Sequence, residues 1–461
     1  MTDPTPPADD GRDPVHVAAS LGAQHVGAVA VTIVDNAGVA RVKSTPVAGL
    51  ERAARWGLGL SPVFAVCTVD DAFTHTAEVG GPTGDLRLIP DLEAARALAP
   101  MPGWAWAPAD QLTQDGQPFA CCQRTFLRRM VEEAAAHGLE LRFGSELEWF
   151  LGSEQQDSDD PLPADDGPAY GLVALSQVSQ YGRDVVSAFT DTGIELGQFH
   201  PEYEPGQLEV SLPHADPIGA GDINVVSRQL IRAVSATHNW RASFSPAVIP
   251  GRVGNGGHWH FSLWRDGANL LAGGDGPEGM TATGEAFIAG VLAEISALMA
   301  VGAPSVASYL RMQPSHWAGV YACWGRENRE AAVRFVTGMT GSEGTTANCE
   351  VKCFDSSANP YLAIGAVIAA GLAGVDRGLK LPQQVSGDPA QRSADELREL
   401  GVERLPTRLE QSIALMDQSA VLRDAMGSTL FDAFLAVRRA EWETFGGEEP
   451  ERIAVAHRWR Y

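Results

Sequence analysis

Basic residues are scarce in this chain: 34 lysines and arginines stand against 58 aspartates and glutamates in 461 residues, a formal charge of −24. A surface of that sign repels phosphate backbones and anionic headgroups, so neither nucleic acid nor a membrane surface is expected as a partner. Long apolar runs are missing too. The longest, Tyr361 to Val375, covers 15 residues and holds three glycines, short of the roughly 20 apolar residues of a membrane span. It reads as a buried helix. Cysteine is sparse: six residues, no Cys-x-x-Cys pair, and an adjacent Cys121 and Cys122. This argues against a disulfide framework or a zinc knuckle and predicts free thiols in a reducing, cytoplasmic compartment. The stretch 1–14 lacks the apolar core of a signal peptide, is rich in Pro and Asp, and is expected to be a disordered tail.

What is present is an ordinary globular composition, long enough for more than one domain. Val29 to Val34 reads as a strand ending in the turn signal Asp35-Asn36-Ala37-Gly38. Polar, Gly- and Pro-rich stretches follow over Thr74 to Asp91 and over Pro100 to Asp115, where no clear periodicity shows, and a domain boundary near 110 is expected. Arg124 to His137 carries Leu127, Met130, Val131 and Ala134 at helical spacing, with Gly138 as the stop. A strand over Leu139 to Phe150, an acidic loop over Gln155 to Pro168, a helix near Ser179 to Phe189, a hairpin over Ile194 to Leu212 and a helix over Ile218 to Asn239 complete the middle. The C-terminal third reads as mostly helical. Hairpins interleaved with helices predict an α+β fold.

Four segments carry chemistry. In Gly144-Ser145-Glu146-Leu147-Glu148, strand alternation puts Glu146 and Glu148 on one face. In Glu202-Tyr203-Glu204-Pro205-Gly206-Gln207-Leu208-Glu209, a two-residue Pro-Gly turn would set Glu202 directly opposite Glu209. Like charges so placed are destabilising unless a cation lies between them. In Gly254-Asn255-Gly256-Gly257-His258-Trp259-His260-Phe261-Ser262, the two histidines share a strand face, and the glycines allow close backbone approach to a ligand. Glu350 is the fourth piece. Each segment alone is as compatible with a wet, solvated strand. Together, five glutamates with one or two histidines make an oxygen-rich set that favours Mg²⁺ or Mn²⁺ over zinc, and two such ions suit phosphoryl transfer. Arg311, Arg329 and Arg334 lie between the histidines and Glu350, and arginine forks suit phosphate and carboxylate.

The order of these motifs resembles the glutamine synthetase family, bacterial type, over nearly the whole chain. Glu146 and Glu148 look like its Glu-x-Glu strand, Glu202 and Glu209 like the two acids of its hairpin, His258 like the first histidine of its His-x-His segment, and Asn359-Pro360-Tyr361-Leu362 is intact. The resemblance implies one metal on Glu148, Glu202 and Glu209 and a second on Glu146, His258 and Glu350. It implies glutamate binding by Gly254, His258, Arg311 and Lys352, phosphate contacts from Arg329 and Arg334, and a nucleotide near His260 and Ser262. ATP would phosphorylate the γ-carboxylate of glutamate, with Arg311 and Arg329 in catalytic roles, and an amine would attack the acyl phosphate. The implied architecture is a small N-terminal β-grasp-like domain over 15–110 and a large catalytic domain over 111–461, an antiparallel sheet with helices. The implied assembly is a homo-oligomer, a dodecamer of two hexameric rings with active sites between neighbouring subunits.

Two departures bear on the amine. Ammonia-using members carry a Glu where Trp317 stands, and an indole cannot deprotonate ammonium, although its face can hold a cation. The family's Asp-Gly-Ser-Ser turn is not recognisable around Phe64 to Phe73. Lys352 also replaces an Arg, and Val253 an Asn. The phosphorylating half is complete while the ammonium half is rebuilt, so an organic amine is expected. The bulk of Trp317 points to a short monoamine such as ethanolamine, ahead of a polyamine, ammonia, or a non-catalytic scaffold.

Overall fold

The computed structural model describes residues 13–155 and 158–461. Most of the tail expected over 1–14 therefore lies outside the described residues, while Asp13 and Pro14 belong to the first helix. The Asp13 side chain caps Pro14–Ala23 by accepting from Val15 N–H, and proline occupies the first turn, where no donor is needed.

A small mixed sheet follows, built from β1 (Ala28–Val34), β2 (Ala40–Pro46), β3 (Leu58–Leu60), β4 (Leu86–Pro90), β5 (Arg96–Ala97) and β6 (Trp104–Leu112), in the order β2-β1-β6-β4-β3 with β5 on β6. β1 buries alternate residues, which is why it is legible. β6 is buried on both faces from Ala105 to Ala109 and pairs with β1 in parallel and with β4 antiparallel. A strand covered on both sides has no period-2 pattern, and that explains why Pro100 to Asp115 shows none. β4 likewise lies inside the polar stretch Thr74 to Asp91.

The second sheet has eleven strands. These are β7 (Glu140–Gln155), β8 (Ser158–Pro163), β9 (Gln198–Pro201), β10 (Gln207–Ser211), β11 (Arg241–Ser243), β12 (Trp259–Arg265), β13 (Ala268–Asn269), β14 (Tyr321–Arg326), β15 (Ala331–Val336), β16 (Asn348–Val351) and β17 (Glu403–Arg404). The main path runs β17-β14-β15-β16-β12-β7-β10-β9. The pairing is antiparallel except between β14 and β15, which are parallel. Part of the acidic loop expected over Gln155 to Pro168 is β8, which doubles back on the far end of β7. The α+β architecture is as expected.

Two helices, Ala282–Gly302 and Pro360–Arg377, are long and apolar enough to cross a membrane by length and composition, but 78% of each apolar window is buried within the protein. They cross on glycine. A Cβ on Gly290 would meet Gly374 Cα at 2.7 Å and collide with the Ala370 carbonyl, and one on Gly374 would collide with the Ala286 carbonyl. Asn359 opens the second of these helices. Its Oδ1 accepts from Tyr361 and Leu362 N–H, and its Nδ2 donates to the carbonyls of Val34 and Asp35 at the end of β1. Tyr361 donates to Asp222, which also receives Arg124. The Asn-Pro-Tyr segment thus ties its helix to the first sheet and to the helix Pro217–Thr237 through buried hydrogen bonds. All six cysteines are free and buried.

Gly290→Leu should separate the crossed helices. Overpacking of a dense core costs about 1–3 kcal/mol, so urea unfolding should show a lower midpoint with an unchanged slope.

Candidate active site

Sheet register assembles the acids. Glu209 on β10 pairs directly with Glu148 on β7, and Ser211 pairs with Glu146. On the other side of β7, β12 brings in His260, which pairs with Glu350 on β16, and Glu350 in turn pairs with Arg334 on β15. Five carboxylates from three segments of sequence therefore meet on neighbouring strands and the loop beside them.

The hairpin register differs from the expected one. Five residues, Glu202 to Gly206, connect β9 and β10, Gly206 takes φ +77°, and His200 rather than Glu202 lies across from Glu209. Glu202 follows the strand and bonds its N–H to the Gln207 carbonyl. His200 then sits between the two acids, 3.4 Å from each. The sequence reading gave His200 no role, although it lies two residues before Glu202 in the same segment.

The electrostatics split the cluster in two. Burial raises Glu209 to about 8, with His200 opposing and Glu146, Glu148 and Glu202 adding repulsion. Burial and then Glu148 raise Glu202 to about 7. His200 is raised to about 9, chiefly by its bond to Glu209. The other half is over-supplied with cations. Burial alone would raise Glu350, but Lys352, His260 and His258 outweigh it and hold Glu350 at about 2. Glu146 is likewise pulled well below its usual range by His258 and His260, against burial. Distances match: His258 Nδ1 lies 3.0 Å from Glu146 and 3.4 Å from Glu350, and Lys352 Nζ and Arg334 Nη1 each lie 3.1 Å from Glu350.

Side-chain oxygens and imidazole nitrogens converge within 4.8 Å in two groups, Glu146/His260/Glu350 and His200/Glu202/Glu209. The donor set, mostly carboxylate with repulsion left unneutralised around Glu202 and Glu209, fits hard divalent cations. His260 Nε2, buried without a hydrogen-bond partner, fits the same reading. His258 also sits in this cluster, 3.8 Å from Glu148 through its other nitrogen.

The glycine-rich segment makes room for this packing. A Cβ on Gly256 would strike His258, Arg311 and Glu148, and one on Gly254 would strike the Pro246 carbonyl. Gly256 N–H and Gln207 both donate to Glu148. Arg311 is buried with Nη2 3.2 Å from His258 Nε2. Arg329 is different: it is exposed, and among the described residues it makes no ion pair. Ser262 and His260 line a cavity of about 390 Å³ together with Glu146, Arg142, Trp264 and Asn348. Arg142 lies 4.0 Å over the Trp264 ring. This cavity lies next to the acids and is walled in part by the Arg142–Trp264 pair.

Trp317 stands at the rim, 45% exposed, with its ring edge-on to Tyr203 at 5.1 Å. It does not plug the site, which is a correction to the reason for expecting a short amine. Its backbone sits at φ +54° and Ser315 at +58°, conformations costly for a bulky residue. Glu330 holds the loop: its Oε1 accepts from Trp317 N–H at 2.8 Å. Tyr170, also exposed, donates to Glu202 at 2.6 Å. Tyr170 was not legible as a site residue, since it comes from a segment without a motif, and Glu330, next to Arg329, was given no role because its bond to Trp317 depends on tertiary packing.

The comparisons agree with this geometry. Residues 120–455 match the family model "Glutamine synthetase, catalytic domain". A gamma-glutamylpolyamine synthetase of Streptomyces coelicolor is 48% identical over 463 residues, 100% of this chain and 99% of the relative. A glutamine synthetase of Methanocaldococcus jannaschii is 30% identical, with 81% of this chain and 83% of the relative covered. Among solved structures, a novel glutamine synthase homolog superposes with TM-score 0.84 at 31% identity, covering 95% of this chain and 99% of that one. A GmaS/ADP complex superposes with TM-score 0.82 at 27% identity, covering 94% and 97%. On the strength of the matched catalytic domain and the full-length relatives, the chain belongs to the glutamine synthetase family.

Proposed function

We propose that this protein is a γ-glutamylpolyamine synthetase, coupling the γ-carboxylate of glutamate to one amino group of a polyamine at the expense of ATP. The observation that carries the choice of amine is the open aromatic rim of Trp317, Tyr203 and Tyr170 beside Glu202, in a chain whose end-to-end relative at 48% identity bears that activity in its name. A polyamine is a flexible chain of cations. Aromatic faces hold such cations at about 0.5–2 kcal/mol each, and carboxylates pair with them. A rim open to solvent also leaves room for the length of the chain. The ethanolamine expectation rested on Trp317 filling the pocket, and Trp317 stands at the edge instead.

In this reading two divalent cations, Mg²⁺ or Mn²⁺, would be held by Glu148, Glu202 and Glu209 and by Glu146, His258 and Glu350. They would supply charge neutralisation for the transferring phosphoryl group. The chain's own residues do the rest. Arg311, fixed over Gly254 and Gly256, receives the glutamate beside His258 and Lys352. Arg334, bonded to Glu350 and Glu327, and Arg329 face the phosphates, and His260 and Ser262 border the nucleotide. The γ-carboxylate oxygen attacks the γ-phosphorus of ATP and ADP leaves. The amine nitrogen then attacks the acyl carbon, loses a proton, and inorganic phosphate departs. The unit over 15–110 would cap a neighbouring subunit's site in two stacked hexameric rings.

Phosphate release should be measured with Mg²⁺, ATP and glutamate against spermine, spermidine, putrescine, ethanolamine and ammonium, with products weighed by mass spectrometry. Polyamines should drive release and yield γ-glutamylpolyamine masses; release driven only by ethanolamine or ammonium would sink the proposal. Trp317→Ala should raise the KM for the polyamine by roughly 2–30-fold, the loss of a cation–π contact, and leave the KM values for ATP and glutamate near wild type. The pH dependence follows from Glu202 and Glu209. Their raised values mean that, without metal, the folded state gains stability from holding these protons at low pH and loses it as pH rises through about 7 to 8. A cation must displace the same protons, so its affinity should climb on the order of tenfold per pH unit across this window. Thermal midpoints with and without Mn²⁺ should diverge from pH 6 to pH 9.

A further inference from the structure

Away from the acids, the first sheet and the helix Pro217–Thr237 enclose a cavity of about 410 Å³. Its walls are apolar: Leu98, Met101, Trp104, Trp106 and Val42 contribute, and Val42 and Trp104 reach solvent at its mouth. Two arginines one helical turn apart, Arg228 and Arg232, line it as well. Arg228 is buried and spends one nitrogen on the Ser356 carbonyl at 2.8 Å. Arg232 lies with its guanidinium 4.9 Å over the Phe244 ring. Among the described residues neither has a carboxylate within ion-pair distance. A third guanidinium at the wall, Arg460, is already committed to Asp71 at 2.7 Å.

Placing two like charges close together, Arg228 buried and Arg232 half-buried, without a counter-ion is costly. Burial disfavours both charges, and for Arg228 the nearby Arg232 adds repulsion. The electrostatic need is for an anion, and the walls ask for an apolar body. Arg228 and Arg232 together offer a forked donor set for a planar carboxylate.

We propose that this cavity binds a small organic carboxylate, its head between Arg228 and Arg232 and its apolar body between Trp104, Trp106, Leu98 and Met101. The site is separate from the catalytic cluster; one link between them runs through Ser356, whose carbonyl accepts from Arg228 and whose hydroxyl faces the Gly256 carbonyl at 3.5 Å.

The test is calorimetric titration of the full-length assembled protein with hexanoate and with benzoate, at matched chloride and with saturating glutamate present to fill the substrate site. Saturable binding of one molecule per chain is expected. Arg232→Met, which removes a charge that makes no hydrogen bond, should fold at least as well as the parent and weaken binding at least tenfold, the loss of one charge-assisted contact. Trp104→Ala should weaken binding through the apolar wall and serves as the second variant. Absence of saturable binding, displacement by glutamate, or unchanged affinity in both variants would overturn the proposal.

Discussion

Glu148 and Glu209 occupy directly paired positions on adjacent buried strands, and the rest of the catalytic half is arranged around that unfavourable contact. Two carboxylates so placed repel each other, and burial multiplies the cost because no water screens them. The fold meets part of the cost with donors. Gly256 N–H and Gln207 bond Glu148, and His200 bridges Glu209 to Glu202. What donors leave unmet shows as the raised values of Glu202 and Glu209, a standing demand for cations at the place where a transferring phosphoryl group would also need them.

The same sheet answers the demand oppositely a few strands away. Glu350 is flanked across the ladder by His260 and Arg334 and along its own strand by Lys352. Excess positive charge there keeps Glu350 and Glu146 ionised at any physiological pH. The carboxylates of one edge are thus already ionised, while those of the other hold their protons more tightly. Glycines at 254 and 256 let Arg311 approach these acids closely.

The amine side follows a different logic. Its proposed aromatic residues lie on loops, Trp317 held by Glu330 and packed on Tyr203, Tyr170 held by Glu202. Loops change substrate choice without disturbing a sheet. That is consistent with a family whose phosphorylating apparatus is shared while the nucleophile differs.

Much of this was legible in the chain itself. The acids and histidines of the catalytic half lie in compact motifs with period-2 spacing, so their side-chain facing follows from strand geometry alone, and Asn359-Pro360 announces its helix by a side-chain cap and a proline at the first turn. Hairpin register was not legible, because a five-residue connection and a two-residue turn both accommodate Pro205-Gly206, and only pairing with β7 selects between them. β6 stayed hidden because burial on both faces removes alternation. The sequence by itself determined that the acids and histidines of the catalytic half share strand faces, since that depends on residue type and local spacing. Only the tertiary structure decided that His200 bridges the hairpin acids, that Trp317 edges the site rather than fills it, and that Arg228 and Arg232 face a cavity without a carboxylate. Each of those depends on which distant segments pack together, a choice made by the whole core.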